Sequence, residues 1–197
     1  MSKLYFKYGA MGSSKTANLL ITKFNYEEKG KKVFLLKPAS DTRSSIDIVE
    51  SRVGLSATSH VIGEASILDT FYEEIEVADV ILVDEAQFLS EDQIDELHEI
   101  CLHYGIPVIC YGLLTDFQTK LFPGSKRLIE ISESLQEIKT ICECGRKATC
   151  NTRFDSEGHA LLEGEQVAIG GNEMYKSMCY RCWKKYTGYR GKYSKKI

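Results

Sequence analysis

Lys15 and Thr16 end the stretch GAMGSSKT, residues 9–16. A lysine and a hydroxyl behind a run of small residues suit phosphate chemistry. Backbone N–H groups can curl around phosphate oxygens only where side chains are small, the following helix N-terminus favours negative charge, and a lysine reaches the β and γ oxygens. The loop would hold phosphate along Gly9, Ala10, Met11, Gly12, Ser13 and Ser14, with the Thr16 hydroxyl turned to Mg²⁺. The phosphate-loop pattern G-x-x-x-x-G-K-[ST] has glycine before the lysine, and here Ser14 stands there. That departure matters if the position needs a positive φ, or if a ligand approaches too closely for a Cβ. Taken alone, the segment also reads as an ordinary glycine-rich turn.

A second group argues for the phosphate reading. VILVDE places Asp84 and Glu85 at the end of an apolar run that reads as a buried parallel strand. Ligands of open α/β sheets bind at such strand ends. Asp84 is suited to hold Mg²⁺, directly or through water. Glu85 is then the carboxylate left to take a proton from an acceptor hydroxyl. Ala86 and Gln87 complete the phosphate-side group.

These residues need elements to position them. Leu4 to Tyr8 reads as a strand, and a helix from about Lys15 to Glu28 follows, with Leu19, Leu20 and Phe24 as its buried stripe and Gly30 as its stop. KKVFLLKP, residues 77–85 and GIPVICYG read as further strands. LIEI and EIKTI read as later ones. Ser90 and Gln93 form a capping box for a helix that buries Ile94, Leu97 and Cys101. Strand and helix alternating at this rhythm predict an α/β sheet with helices on its faces. The character changes near residue 141, which predicts a nucleotide-binding domain over 1–141 and a smaller lobe over 142–197.

The whole chain has 197 residues, 43% hydrophobic and 27% charged, enough for one filled core and a small appendage. A net charge of −3 gives no case for broad nucleic-acid binding. The segment YRCWKKYTGYRGKYSKK, ending at Lys196, is basic and rich in tyrosine, and reads as a solvated terminus. No apolar run is long enough to cross a bilayer, and MSKLYFKYGAMG lacks a signal peptide's apolar core. No membrane or nucleic-acid partner and a cytoplasmic location are therefore expected.

Seven cysteines, an odd number, suit a reducing compartment. Cys142, Cys144, Cys179 and Cys182 offer four thiolates in two close pairs, the donor set of a closed structural zinc site. Cys150 is an alternative fourth ligand. Cys101 and Cys110 read as small apolar residues. The four histidines show no ligand spacing.

The phosphate chemistry narrows by elimination. The guanine-reading pattern N-K-x-D is absent, and a single lobe of this size lacks the second motor domain of a helicase. A small-molecule kinase fits best. A nucleotide-binding regulator without catalysis is the alternative.

In combination, GAMGSSKT, KPASDTR (37–43), VDEAQF (83–88), GLLTDFQTKLF (112–122), ICECG (141–145), and IGG…Y with CYRC (169–182) resemble the zinc-containing class of thymidine kinases across nearly the whole chain. The resemblance implies a P-loop, RecA-like parallel sheet flanked by helices with a small zinc-binding lobe. It also implies transfer of the ATP γ-phosphate to the 5′-hydroxyl of thymidine or deoxyuridine, one structural zinc per chain, a homotetramer in the cytoplasm, and feedback inhibition by thymidine triphosphate (dTTP). By resemblance Glu85 is the general base and Arg43 lies near phosphate beside Asp41. Met11, Leu113, Phe117 and Phe122 line the thymine pocket. A loop over Val167, Ala168, Ile169, Gly170 and Gly171 reads the base through its backbone, and Tyr175 covers sugar and base. From pattern alone Phe117 and Phe122 read as core and Arg43 as a loop charge. The first cysteine pair departs from the family's usual C-x-x-C, being Cys142-Glu143-Cys144.

Overall fold

The computed structural model of the protein describes residues 2–41, 46–166 and 174–191. In chain order the elements are β1 (Leu4–Tyr8), α1 (Lys15–Glu27), β2 (Val33–Pro38), β3 (Ile48–Glu50), β4 (Ser56–Thr58), β5 (His60–Ile62), α2 (Ile67–Thr70), α3 (Tyr72–Val77) and β6 (Val80–Val83). After a 3₁₀ turn at Ala86–Phe88 come α4 (Glu91–Tyr104), β7 (Val108–Gly112), α5 (Pro123–Ile131), β8 (Ser134–Glu137), β9 (Thr140–Ile141), β10 (Lys147–Ala148), β11 (Cys150–Arg153), β12 (Tyr175–Met178) and α6 (Tyr180–Thr187).

Six strands form one sheet in the order β5-β2-β6-β7-β1-β8, with every neighbouring pair parallel. Successive strand residues face opposite sides, and both sides are covered. Ile81 and Val83 of β6, Leu4 and Phe6 of β1, and Val108 and Cys110 of β7 pack with Ile94, Leu97 and Leu128 of α4 and α5. On the other side Val80, Leu82, Ile109 and Tyr111 meet Leu19 and Leu20 of α1 and Val49 of β3. Burial on two faces explains why VILV shows no alternation of apolar and polar residues. This is the flanked parallel sheet expected, and β7 lies between the strand that leads into the phosphate loop and the strand that leads into Asp84.

The Ser90–Gln93 capping box is present, each side chain bonded to the other's backbone N–H, and Ile94, Leu97 and Cys101 are fully buried. Four local expectations are corrected. LIEI is helical, the end of α5, because Pro123 at the first helical position sets a helix in motion before the apolar run begins. The β6 strand is shorter than 77–85. Val77 ends α3, and Asp79 closes the strand's entry by accepting from the Lys32 backbone N–H at 2.8 Å and from Lys31 Nζ at 3.0 Å. Phe24 is 62% exposed, since Tyr26, seven residues on from Leu19 and so on the same helical face, closes that cluster instead. EIKTI is divided between the end of β8 and β9.

A third apolar cluster gathers Cys142, Ala148, Cys150, Phe154, Met178, Cys179 and Trp183. It touches the sheet's loops at defined points. Trp183 Nε1 donates to the Phe117 carbonyl at 2.9 Å, and Asn151 Nδ2 donates to the Thr115 carbonyl at 2.8 Å. Among the described residues no helix is long and apolar enough to cross a membrane.

Candidate active site

The carboxyl ends of β1, β7 and β6 lie side by side, and their next residues are Gly9, Leu113 and Asp84. The Gly9 N–H donates to the Gly112 carbonyl at 3.3 Å, which ties the start of the phosphate loop to β7. The loop turns through Gly12 (φ +72°) and Ser14 (φ +59°, ψ +32°) into α1. The condition that makes a missing glycine matter is therefore met: Ser14 holds a left-handed conformation that costs a non-glycine residue roughly 1–2 kcal/mol. Lys15 Nζ donates to the Ala10 carbonyl at 3.0 Å and the Gly9 carbonyl at 3.3 Å, keeping its ammonium within its own loop. The Met11 N–H donates to Asn151 Oδ1 at 2.8 Å, so β11 supports the loop from outside.

Thr16 Oγ1 donates to Asp84 Oδ2 at 3.0 Å. Two oxygens at that separation fit adjacent positions around Mg²⁺, whose ligands lie at about 2.0–2.1 Å in an octahedron. Glu85 follows in a left-handed conformation (φ +49°, ψ +37°) and is buried. Such backbone outliers in bulky residues gather at active sites, where the surrounding structure over-determines them. Gln87, also buried, donates to the Glu85 carboxylate and accepts from the Leu113 N–H at 2.9 Å.

A cavity of about 490 Å³ opens over these groups, a size common for small-molecule sites. Met11, Gly12, Ser14, Lys15, Thr16, Asp41, Asp84, Glu85 and Leu113 line it. Gly9, Ala10, Ser13, Ala86 and Gln87 are buried and lie outside that lining. Phe117 and Phe122 are buried outside the lining. The Arg153 guanidinium sits 3.8 Å from the Phe117 ring centroid, while Phe122 meets Phe88 edge-on. Tyr175 starts β12, opposite Arg153. Arg43, Val167, Ala168, Ile169, Gly170 and Gly171 lie outside the described residues.

The β3–β4 hairpin, which the pattern reading missed, also lines the cavity. Val49, Glu50, Ser51, Arg52, Val53 and Gly54 line the cavity. Buried Val49 fastens the hairpin against α1, and Lys37 Nζ donates to the Ile48 carbonyl at 3.1 Å while pairing with Asp41 at 3.3 Å. Its strands are three residues each, too short to show a period. The available signal was Gly54, in a positive-φ turn between Val49 and Ala57, which face each other across the hairpin. Arg153, also missed, donates to the carbonyls of Glu165 at 2.9 Å and Glu163 at 3.4 Å.

Away from the cavity, Cys142, Cys144, Cys179 and Cys182 bring their sulfurs within 4.8 Å of one another. The Cys144 and Cys179 sulfurs are 3.6 Å apart. Tetrahedral Zn–S bonds of about 2.3 Å would put the sulfurs roughly 3.8 Å apart, so the four fit one zinc. The Arg146 backbone N–H, followed by the neighbouring thiols, pulls the Cys144 thiol down to about 6, toward the thiolate that a metal needs. Cys150 stays outside the group and beside Thr149, its thiol pushed up by burial.

Known proteins agree with this geometry. The family model described as "Thymidine kinase" matches residues 2–183. The chain is 45% identical over 183 residues to the thymidine kinase of Legionella pneumophila (strain Lens), covering 91% of this chain and 88% of that protein. It is 44% identical over 191 residues to that of Aliivibrio fischeri, covering 95% and 100%. Against that of Zymomonas mobilis it is 45% identical over 184 residues, covering 92% and 95%. With a phosphate loop, a carboxylate pair and a four-cysteine cluster on a parallel sheet, the chain belongs to the thymidine kinase family.

Proposed function

We propose that the protein transfers the γ-phosphate of ATP to the 5′-hydroxyl of thymidine or deoxyuridine. The observation that carries this is Glu85, a buried carboxylate that follows Asp84 and lines the same cavity as Lys15 and Thr16. A binding module needs no such base.

In this reading Glu85 accepts the 5′-hydroxyl proton as the oxygen bonds to the γ-phosphorus, and the bond from that phosphorus to the β–γ bridging oxygen breaks. Lys15 and the loop N–H groups stabilise the charge shifting onto ADP. Thr16 and Asp84 would hold Mg²⁺, which supplies positive charge to the phosphates when bound. Met11 and Leu113 form the nucleoside end. Arg43 at phosphate, Phe117, Phe122 and Tyr175 around the nucleoside, and residues 167–171 at the base edge are assigned by family membership. The same source supports inhibition by dTTP, a homotetramer and a cytoplasmic location. Residues 142–197 are read as a separate zinc lobe, supported by their own apolar cluster.

Glu85→Gln tests the base. It preserves shape, so ATP binding should persist while kcat falls on the order of 10²–10⁴-fold. An unchanged kcat, with phosphoryl transfer rate-limiting in single-turnover experiments, would remove Glu85 from the role.

A further inference from the structure

We infer that Gln87 is a positioning residue for the catalytic base, acting through Glu85 and not on phosphate. The inference rests on the reading of Glu85 as base. Gln87 is 1% exposed and is absent from the cavity lining. Its amide is committed on both sides: Oε1 accepts from the Leu113 N–H at 2.9 Å, and Nε2 donates to a Glu85 carboxylate oxygen. Partner chemistry fixes the amide's orientation, because a backbone N–H needs an acceptor and a carboxylate needs a donor.

The bridge spans two parts of the reaction. Leu113 and Glu85 both line the cavity, and on the proposed function Leu113 meets the nucleoside, so one amide sets the carboxylate relative to the wall the nucleoside would meet. A neutral side chain of this length that donates at one edge and accepts at the other is glutamine.

The backbone under Gln87 leaves it little room to move. A Cβ on Gly112 would lie 2.7 Å from Gln87 Oε1 and 3.1 Å from the Gln87 nitrogen. On the other side, a Cβ on Gly124 would lie 2.6 Å from the Ala86 carbonyl oxygen and 2.7 Å from that of Leu89. Both distances are below ordinary contact, so β7 and α5 close on the 86–89 turn only because neither glycine carries a side chain. The clamp also explains how Glu85 keeps its left-handed backbone. The Phe88 N–H donates to the Glu85 carbonyl at 3.1 Å, and the turn that makes this bond is the one the two glycines grip.

The test is a double-mutant cycle on the full chain with Mg·ATP and thymidine. Gln87→Met removes both hydrogen bonds at similar volume. Gln87→Glu keeps an acceptor for Leu113 but sets a carboxylate against Glu85. Each should lower kcat roughly 10- to 100-fold, the scale on which small misplacements of reacting groups act, with ATP affinity by equilibrium titration changed less than twofold. In a Glu85→Gln background, either substitution should change kcat less than twofold, because the group it positions is gone. Losses that multiply in the double variants, or a weakened ATP affinity with intact kcat, would overturn the inference. If Gln87→Met does not fold, Gln87→Glu decides alone. If Glu85→Gln itself keeps full kcat, the base reading fails first and the inference falls with it; a large loss there with multiplicative Gln87 effects sinks the inference only.

Discussion

At Ser14 a sequence departure becomes a backbone fact. Glycine is the residue that occupies a left-handed turn without strain, and this chain puts serine there at φ +59°. The exposed side chain avoids a packing clash, so the cost is conformational. Ser14→Gly should therefore relieve about 1 kcal/mol or more of strain, offset by roughly 0.4–1 kcal/mol of added freedom in the unfolded chain. Denaturant unfolding should show a gain of a few tenths of a kcal/mol, by the difference of those two effects. ATP titration should show equal or tighter binding. A weaker affinity in the glycine variant would mean that the Ser14 hydroxyl contacts the nucleotide.

The hairpin is the element that changes the picture of the site. The carboxylates Asp41, Glu50, Asp84 and Glu85 face the cavity, and among the described lining residues the cations are Lys15 and Arg52. Arg52 sits on the Ser51–Gly54 turn, which is held by the Gly54 N–H donating to the Ser51 carbonyl at 3.0 Å and by the Leu55 N–H donating to Ser51 Oγ at 3.0 Å. A cation presented there opposes the acidic lining when a polyphosphate enters. Arg52→Ala should raise the KM for ATP by about 10- to 150-fold, the range of one hydrogen bond to a charged group worth about 1.5–3 kcal/mol, and leave the KM for thymidine nearly unchanged. Initial rates with each substrate varied would decide it; a thymidine-specific effect would move Arg52 to the nucleoside end. Which elements could be read from sequence follows from physics. Strands buried on both faces announce themselves as apolar runs, and the capping box and phosphate loop have fixed spacing. The hairpin lacks both signals, because each strand is too short for a period and Glu50, Arg52 and Ser56 are polar and exposed. LIEI misled because four residues fit either period, and the deciding proline lay five residues upstream of Leu128.

On the scale of the molecule, the cysteine-bearing part and the sheet differ in what holds them together. The sheet's core is large and mostly aliphatic on both faces, whereas the third cluster is small and includes Cys142, Cys150 and Cys179, with Cys182 packed against it. Chelation should therefore raise amide exchange at residues 142–187 before the sheet responds, and zinc analysis should return about one ion per chain. Cys179→Ser should lose the ion and Cys150→Ser should keep it. The reverse would show that Cys150 is a ligand. The bond from the Met11 N–H to Asn151 ties this part to the phosphate loop, so ATP binding should decline on chelation; thymidine binding should fall further, because the base-reading segment 167–171 proposed from family membership lies in sequence between the two cysteine pairs. The four-cysteine cluster was legible from spacing because two close pairs of cysteines are the typical donor pattern of a tetrahedral zinc site. The Asn151 and Arg153 contacts were not, since they join segments about 140 and 36 residues apart in sequence, Met11 to Asn151 and Phe117 to Arg153.

Phosphoryl transfer to a nucleoside can be measured directly. The direct measurement incubates the protein with Mg·ATP and a panel of deoxyribonucleosides and ribonucleosides, and identifies any nucleoside that becomes a 5′-monophosphate. Thymidine and deoxyuridine should be converted, with ADP formed in equal amount. If protein that demonstrably binds ATP yields no monophosphate from either one, the protein does not carry out the proposed reaction.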